Sequence, residues 1–296
     1  MYVITGATGN TGKPITLALL AAGKKVRILS RSAEKAKELT GRGAELFLGG
    51  PEDRSVLQRA VAGATAVYAM IPPDWSQPDF TAYQRRVADA IAGALSGSSV
   101  KYVVSLSSVG AHLEHNAGVV AGLHYLERKL DGLPGLNVLH LRPTYFMENT
   151  LGQIGLVKAM GVMGSPMHAD RPMSMIATRD VADYAAGRLL KLDFAGRSVQ
   201  YLLGRREITY SEVASVFGKA IGKPDLKYVE VPYEQLASAI MGMGATASVA
   251  DNLNEFIRSF NEGKILEDAK RTQEATTPTT IEDFAKVFAD VYSMQA

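Results

Sequence analysis

Cysteine is absent from the 296-residue sequence. That excludes disulfides, a thiolate metal site and a thiol nucleophile, and it fits a reducing compartment. Histidine is sparse, and none of His112, His115, His140 or His168 pairs with a second histidine or an acid at metal-ligand spacing on an expected helix. No metal centre is expected. No apolar run reaches the roughly 18 residues that a membrane span needs, so no membrane contact is expected. Charge of one sign is lacking too: Lys and Arg are spread along the chain and the net charge is +2. That leaves no footprint for a nucleic acid. A strand reads from Tyr2 onward, which leaves no stretch for a signal peptide, and a cytoplasmic location is expected. Internal repeats and low-complexity linkers are also missing.

Apolar residues, by contrast, make up 47% of the chain, ample for a core. The length suits one large α/β domain and a smaller one. The most informative stretch is the first. Tyr2-Val3-Ile4 reads as a short buried strand, Thr5 follows, and then comes GATGNTG, with Gly6, Gly9 and Gly12 at three-residue spacing. Residues 14–20 read as a helix, with Pro14 in its first turn, where a missing N–H costs nothing. Strand, glycine turn and helix together are the context of a dinucleotide site. The first glycine lets the chain turn, the second lets a pyrophosphate approach the backbone, and the third lets helix and strand pack closely. The anion then meets the free N–H groups and dipole of the helix N-terminus.

Strands are expected at 26–29, 43–48, 66–71, 100–106 and 137–141, with helices at 33–39, 54–62, 80–95 and 119–130 between them. This alternation implies an α/β fold, a parallel sheet wound on both faces by right-handed crossovers. Ligands of such sheets bind outside the carboxyl ends of the strands. Those ends are 6–12, Arg31, Ile71-Pro72-Pro73 and Ser107-Ser108, which are expected to surround one crevice. An acid at the end of the second strand binds a ribose 2′-hydroxyl, and an arginine accommodates a 2′-phosphate. Arg31 stands there, with no Asp or Glu until Glu34, which favours NADP(H) over NAD(H). His112, Glu114 and His115 fall in a loop at 109–117. Beyond residue 150 the alternation fades and Met and Gly become frequent between Met160 and Met175, which suggests an adaptable substrate wall. Helices are expected at 181–190, 210–221, 234–260 (interrupted at 242–244) and 280–292, the last with a capping box of Thr280 and Asp283. Strands are expected at 198–203 and 227–231.

These residues resemble the NmrA-like family of the atypical short-chain dehydrogenase/reductase superfamily. The resemblance runs along nearly the whole chain: GATGNTGK, SRSAEKAKEL, Ile71-Pro72-Pro73, LRPTYFMENTL, RDVADYAA, EITYSEVASVFGKAIGKP and TPTTIEDFAKVFADV. It implies a doubly wound parallel Rossmann sheet over residues 1–149 and a smaller C-terminal α/β substrate domain over 150–296, with the strand near 198–203 rejoining the large sheet. Its members include NAD(P)H-dependent reductases of quinones, azo dyes and triphenylmethane dyes, and nucleotide-sensing proteins without known turnover. The residues assigned to the cofactor are Gly6, Thr8, Gly9, Asn10, Thr11, Gly12, Arg31, Ile71, Pro72 and Thr144. Where relatives often carry Gly-Asp after the third strand, this chain has Gly49-Gly50, so an adenine contact is missing or Asp53 supplies it.

For proton transfer, Tyr125 and Lys129 stand four apart on one helix face, as a Tyr-x-x-x-Lys pair does, with Ser107 or Ser108 to orient a carbonyl. The family's reductases instead place an acid four residues after a Lys or His. Glu127 fits the acid, but Leu123 stands where the base belongs. Three readings follow. The first is an NADPH-dependent reductase passing hydride to a small quinone- or dye-type acceptor, and the second is an NADP(H) sensor acting on a protein partner. The third is a carbonyl reductase using Tyr125 and Lys129. A homodimer is compatible with each.

Overall fold

All residues of the first and fourth strands are buried, as strands covered on both faces must be. The computed structural model describes residues 1–294. In the first half β1 (Tyr2–Ile4), α1 (Gly12–Ala21), β2 (Val26–Ser30), α2 (Ala33–Gly41), β3 (Glu45–Leu48) and α3 (Arg54–Val61) alternate. They are followed by β4 (Ala66–Ala69), α4 (Phe80–Leu95), β5 (Tyr102–Leu106), α5 (Ala121–Asp131) and β6 (Asn137–Pro143). The second half contains β7 (Tyr145–Phe146), α6 (Ile154–Met160), β8 (Val162–Ser165), β9 (Met173–Ile176), α7 (Thr178–Lys191) and β10 (Arg197–Leu202). It ends with β11 (Glu207–Ile208), α8 (Tyr210–Ala220), β12 (Lys227–Glu230), α9 (Tyr233–Gly242), α10 (Ala247–Asn261) and α11 (Ile281–Met294).

Seven strands form the main sheet in the order β10-β6-β5-β4-β1-β2-β3, and every neighbouring pair is parallel. The order reverses at β1, between β2 and β4, which creates a crevice at the carboxyl ends there. Alternating side chains sort to two faces. Val3, Val67, Val103 and Val138 pack with Leu57, Val87 and Leu126 of α3, α4 and α5. Ile4, Tyr68, Val104 and Leu139 pack with Ile15, Leu39, Val181 and Leu189 of α1, α2 and α7. The fold is thus the doubly wound Rossmann-like α/β sheet. Although α7 and β10 come after residue 150, they complete this sheet, with β10 paired to β6 from Arg197↔Val138 to Leu202↔Pro143.

A third core fills the second half, beside the small sheets β11-β9-β7 and β12-β8. Met163, Met167, Met173 and Met175 are all buried in it, among Tyr210, Phe217 and Phe260. Phe217 stacks on Phe288 of α11 at 4.2 Å between ring centroids. The methionine-rich stretch is therefore core filler and not a substrate wall. The unbranched thioethers fill gaps around rigid aromatic rings, and Met160 alone is largely exposed.

Three sequence signatures hold one another. The Glu148 carboxylate caps α7, accepting from the Thr178 amide at 3.0 and 3.1 Å and from its hydroxyl at 2.6 Å. Buried Asp180 accepts from the Thr279 amide at 3.0 Å and hydroxyl at 2.6 Å. Thr280 and Asp283 form the expected reciprocal cap of α11. No helix among the described residues is long and apolar enough to cross a membrane.

Asp180→Ala leaves the Thr279 amide buried without an acceptor, and the expected cost is about 1–3 kcal/mol. Urea unfolding measures it; an unchanged midpoint would show that this lock contributes nothing.

Candidate functional site

The glycine turn after β1 has three glycines with different reasons to exist. Gly6 has φ +62°, and a Cβ there would lie 2.1 Å from Met70 Sδ. A Cβ on Gly12 would lie 2.3 Å from the Gly6 carbonyl oxygen, so only glycine lets α1 start this close to β1. Gly9 differs. Its φ is outside the left-handed region, and its added Cβ would meet only the Gly6 oxygen, at 3.3 Å. Thr8, Gly9 and Asn10 are exposed. Packing within the chain demands glycine outright at 6 and 12, whereas at 9 a side chain asks only that the Gly6 carbonyl give by a few tenths of an ångström. What a bare backbone at Gly9 leaves is room for something outside the chain.

The N-terminus of α1 is open. Its cap residue Thr11 gives no side-chain cap, and the first turn holds no acid. By contrast α2, α3 and α4 are capped by Ser32, Asp53 and Asp79. Thr11 is engaged elsewhere: its hydroxyl accepts from the Tyr68 hydroxyl at 2.9 Å. Tyr68 is fully buried on β4, and that burial pushes its hydroxyl above the usual tyrosine range. Thr5 makes the matching link, accepting from the Met70 amide at 2.8 Å. Thr5 and Tyr68 thus brace the turn from below. Reading by motif passes over both; the signal is a polar atom just after β1 and one inside the otherwise apolar β4. The Lys13 amide already donates to the Gly9 carbonyl at 3.1 Å and Pro14 has no N–H, so the amides left free at this exposed, bare backbone are those of Asn10, Thr11 and Gly12. With the helix dipole they suit an anion such as a pyrophosphate.

Arg31 lies at the end of β2, as expected, but it is not alone. Its Nη1 is 3.3 Å from Oδ2 of Asp74, which comes from the loop after β4. The acid that the second strand lacks locally is thus supplied from 43 residues away. The Ser76 hydroxyl first, then Gln77, the Ser76 amide and Arg31, hold the Asp74 carboxyl down to about 2. Ile71 is buried, and the Pro72 carbonyl accepts from the Tyr83 hydroxyl at 2.9 Å. Burial, reinforced by Asp74, pushes Tyr83 up to about 12. Asp53 accepts from the Ser55 and Val56 amides at 3.0 and 3.1 Å and so is engaged as a helix cap. Thr144 is buried, and its amide donates to the Leu202 carbonyl at 3.0 Å, which ties the end of β6 to β10.

The structure does not bring Tyr125 and Lys129 to the crevice with Ser107. Tyr125 donates to Asp89 Oδ1 of α4 at 3.0 Å, and the Lys129 ammonium lies 2.8 Å from the same oxygen. The Lys129 ammonium, with Tyr125, holds the Asp89 carboxyl below its usual range, and Asp89 in turn raises Lys129. Both groups therefore serve the α4–α5 contact. Glu127 is buried and holds Arg142 of β6 through two bonds, at 3.0 and 2.6 Å, while Arg142 donates to the Tyr201 hydroxyl at 2.9 Å. Ser107 is buried at the end of β5, and its hydroxyl has no hydrogen-bond partner within the chain. Of the three it alone is uncommitted.

Comparison with known proteins agrees with this architecture. The family model described as the NmrA-like family matches residues 2–285. An NAD(P)H azoreductase of Xenophilus azovorans is 27% identical over 255 residues, covering 86% of this chain and 85% of that protein. An NADPH-dependent quinone oxidoreductase of Escherichia coli, solved with NADPH, superposes with a TM-score of 0.76 at 22% identity over 100% of this chain and 99% of that one. NmrA, a negative transcriptional regulator solved with NADP, superposes with a TM-score of 0.73 at 18% identity over 100% and 97%.

Gly12→Ala forces a methyl group into the Gly6 carbonyl, and the expected destabilisation is about 1–3 kcal/mol in a denaturant titration. A wild-type midpoint would mean that the turn relaxes freely and that its close approach is not required.

Proposed function

The chain belongs to the NmrA-like family, and on that premise we propose that it is an NADPH-dependent reductase of a small quinone- or dye-type acceptor. The observation that carries the reading is the pairing of an α1 N-terminus without a side-chain cap with an exposed glycine, Gly9, that the fold requires less strictly than Gly6 and Gly12. The amides of the glycine turn hold the pyrophosphate, and Thr8 and Asn10 flank it. Arg31 faces the 2′-phosphate of the adenosine ribose, which favours NADPH over NADH. Ile71 and Pro72, held by Tyr83, form the floor beside it. Bound there, the nicotinamide supplies the hydride, and the protein supplies position and shelter from water.

The proton is a separate matter. Tyr125 and Lys129 are committed to Asp89, and Glu127 to Arg142. A reduced quinone or azo group takes its proton from water without a dedicated protein acid. That commitment favours the quinone- or dye-type acceptor over the carbonyl-type one. It also keeps a second reading in play, an NADP(H) sensor that binds without turnover, as the likeness to a regulator suggests.

Gly9→Val is expected to weaken NADPH binding by more than about tenfold in calorimetry while the fold survives, because a side chain there stands where the pyrophosphate meets the backbone. Unchanged affinity would remove the cleft as the cofactor site. A panel of quinones and azo dyes, assayed with NADPH and NADH, separates the two readings. Consumption of NADPH supports the reductase; tight NADPH binding with no turnover on any acceptor supports the sensor. Tyr125→Phe, which removes only the hydroxyl, is expected to keep most of that activity. A true proton donor would lose about a hundredfold or more in kcat.

A further inference from the structure

We propose that Asp74 is a specificity-determining residue that narrows the cofactor preference set by Arg31, an inference that rests on the reading of the cleft above. The pair is asymmetric. The Arg31 side chain is 61% exposed and makes one contact with Asp74, whereas the Asp74 side chain is 16% exposed. Arginine is the free partner and aspartate the fixed one.

Asp74 is fixed by its own loop. It accepts from the Ser76 amide at 3.2 Å, the Ser76 hydroxyl at 2.6 Å and the Gln77 side-chain amide at 3.1 Å. The loop is in turn pinned to the start of α10. The Thr246 amide donates to the Trp75 carbonyl at 3.0 Å, and the Thr246 hydroxyl to the Gln77 carbonyl at 2.7 Å. The carboxylate therefore stays beside Arg31 when the arginine turns to a ligand.

The neighbouring cation Arg86 is already engaged. Arg86 donates to Gln77 Oε1 at 3.3 Å and pairs with Glu52 at 3.2 Å, so the second cation is engaged by its own acid. An incoming 2′-phosphate meets one arginine already faced by one carboxylate. A 2′-hydroxyl instead meets an anionic acceptor, the arrangement that selects the unphosphorylated dinucleotide. Arg31 and Asp74 thus pull in opposite directions, and the site accepts both NADPH and NADH with a narrow preference.

The test is calorimetric titration of the full chain with NADPH and with NADH. Asp74→Asn keeps the shape and an acceptor for the Ser76 amide and removes the charge. It is expected to tighten NADPH by about five- to tenfold at low salt, an effect that shrinks as salt screens the repulsion. NADH is expected to weaken, so the ratio of the two affinities rises by about tenfold or more. Ser76→Ala, which loosens Asp74 without removing its charge, is expected to raise that ratio in the same direction but by less than Asp74→Asn does. Arg31→Ala reports on the underlying reading, weakening NADPH by at least about tenfold and sparing NADH. If Arg31→Ala behaves so and Asp74→Asn leaves the ratio unchanged, the inference about Asp74 is wrong and the cleft stands. If Arg31→Ala affects neither cofactor or both equally, the reading of Arg31 at the 2′-phosphate fails and the inference with it.

Discussion

Gly12 meets the carbonyl of Gly6 with no room for one more carbon atom. Because this approach is so close, α1 starts immediately against the turn after β1, the strand at which the order reverses. The strands on either side exist to hold that geometry. Val3 and Ile4 are buried on opposite faces, and the Tyr68–Thr11 and Thr5–Met70 bonds carry the bracing from β4 into the turn. A buried polar pair of this kind is stable because each group is satisfied. With the turn fixed, the proposed anion site needs nothing more than backbone.

The second half of the chain is bound into the same frame by polar locks and not by apolar packing alone. Glu148 follows β6 and caps α7, which packs on α1. Asp180 on α7 holds Thr279, just ahead of α11. The Leu203 amide donates to the Ala275 carbonyl at 2.7 Å, and the Thr277 amide to the Leu203 carbonyl at 2.8 Å. So the residues after β6, α7 and the lead into α11 form one connected unit next to the strand ends. The most distinctive motifs of the sequence are, in this protein, the joints between the large sheet and the smaller core. A fold that uses them for attachment leaves loop side chains free to differ in what they recognise.

Local periodicity made most of the architecture legible. The seven strands of the main sheet and the helices between them follow from apolar runs and glycine or proline stops, and the return of β10 to the large sheet follows from the family resemblance. The capping box at Thr280 formed as the spacing indicated. Three features lay beyond that kind of reading, each for a physical reason. The methionines between 160 and 175 are spaced irregularly because short strands and turns carry them, and only the aromatic residues of α8, α10 and α11, far along the chain, decide that they are inside. Helical spacing put Tyr125 and Lys129 on one face, but the face belongs to Asp89 of α4, and no spacing within a helix reveals its neighbour. Asp74 reaches Arg31 across two crossovers, so the linear rule for the end of β2 saw a lone arginine where the structure has an ion pair.

The central claim is that a nicotinamide dinucleotide lies across these strand ends with its pyrophosphate on the α1 amides. Backbone hydrogen exchange, with and without NADPH, tests it most directly, because it reads the amides themselves. The account predicts that NADPH slows exchange at Thr8, Asn10, Thr11 and Gly12, whose amides have no backbone acceptor within the chain, with added protection at Arg31 and in the loop of Asp74. Protection confined to the second half of the chain, or exchange in the glycine turn that NADPH leaves unchanged at saturation, would contradict it.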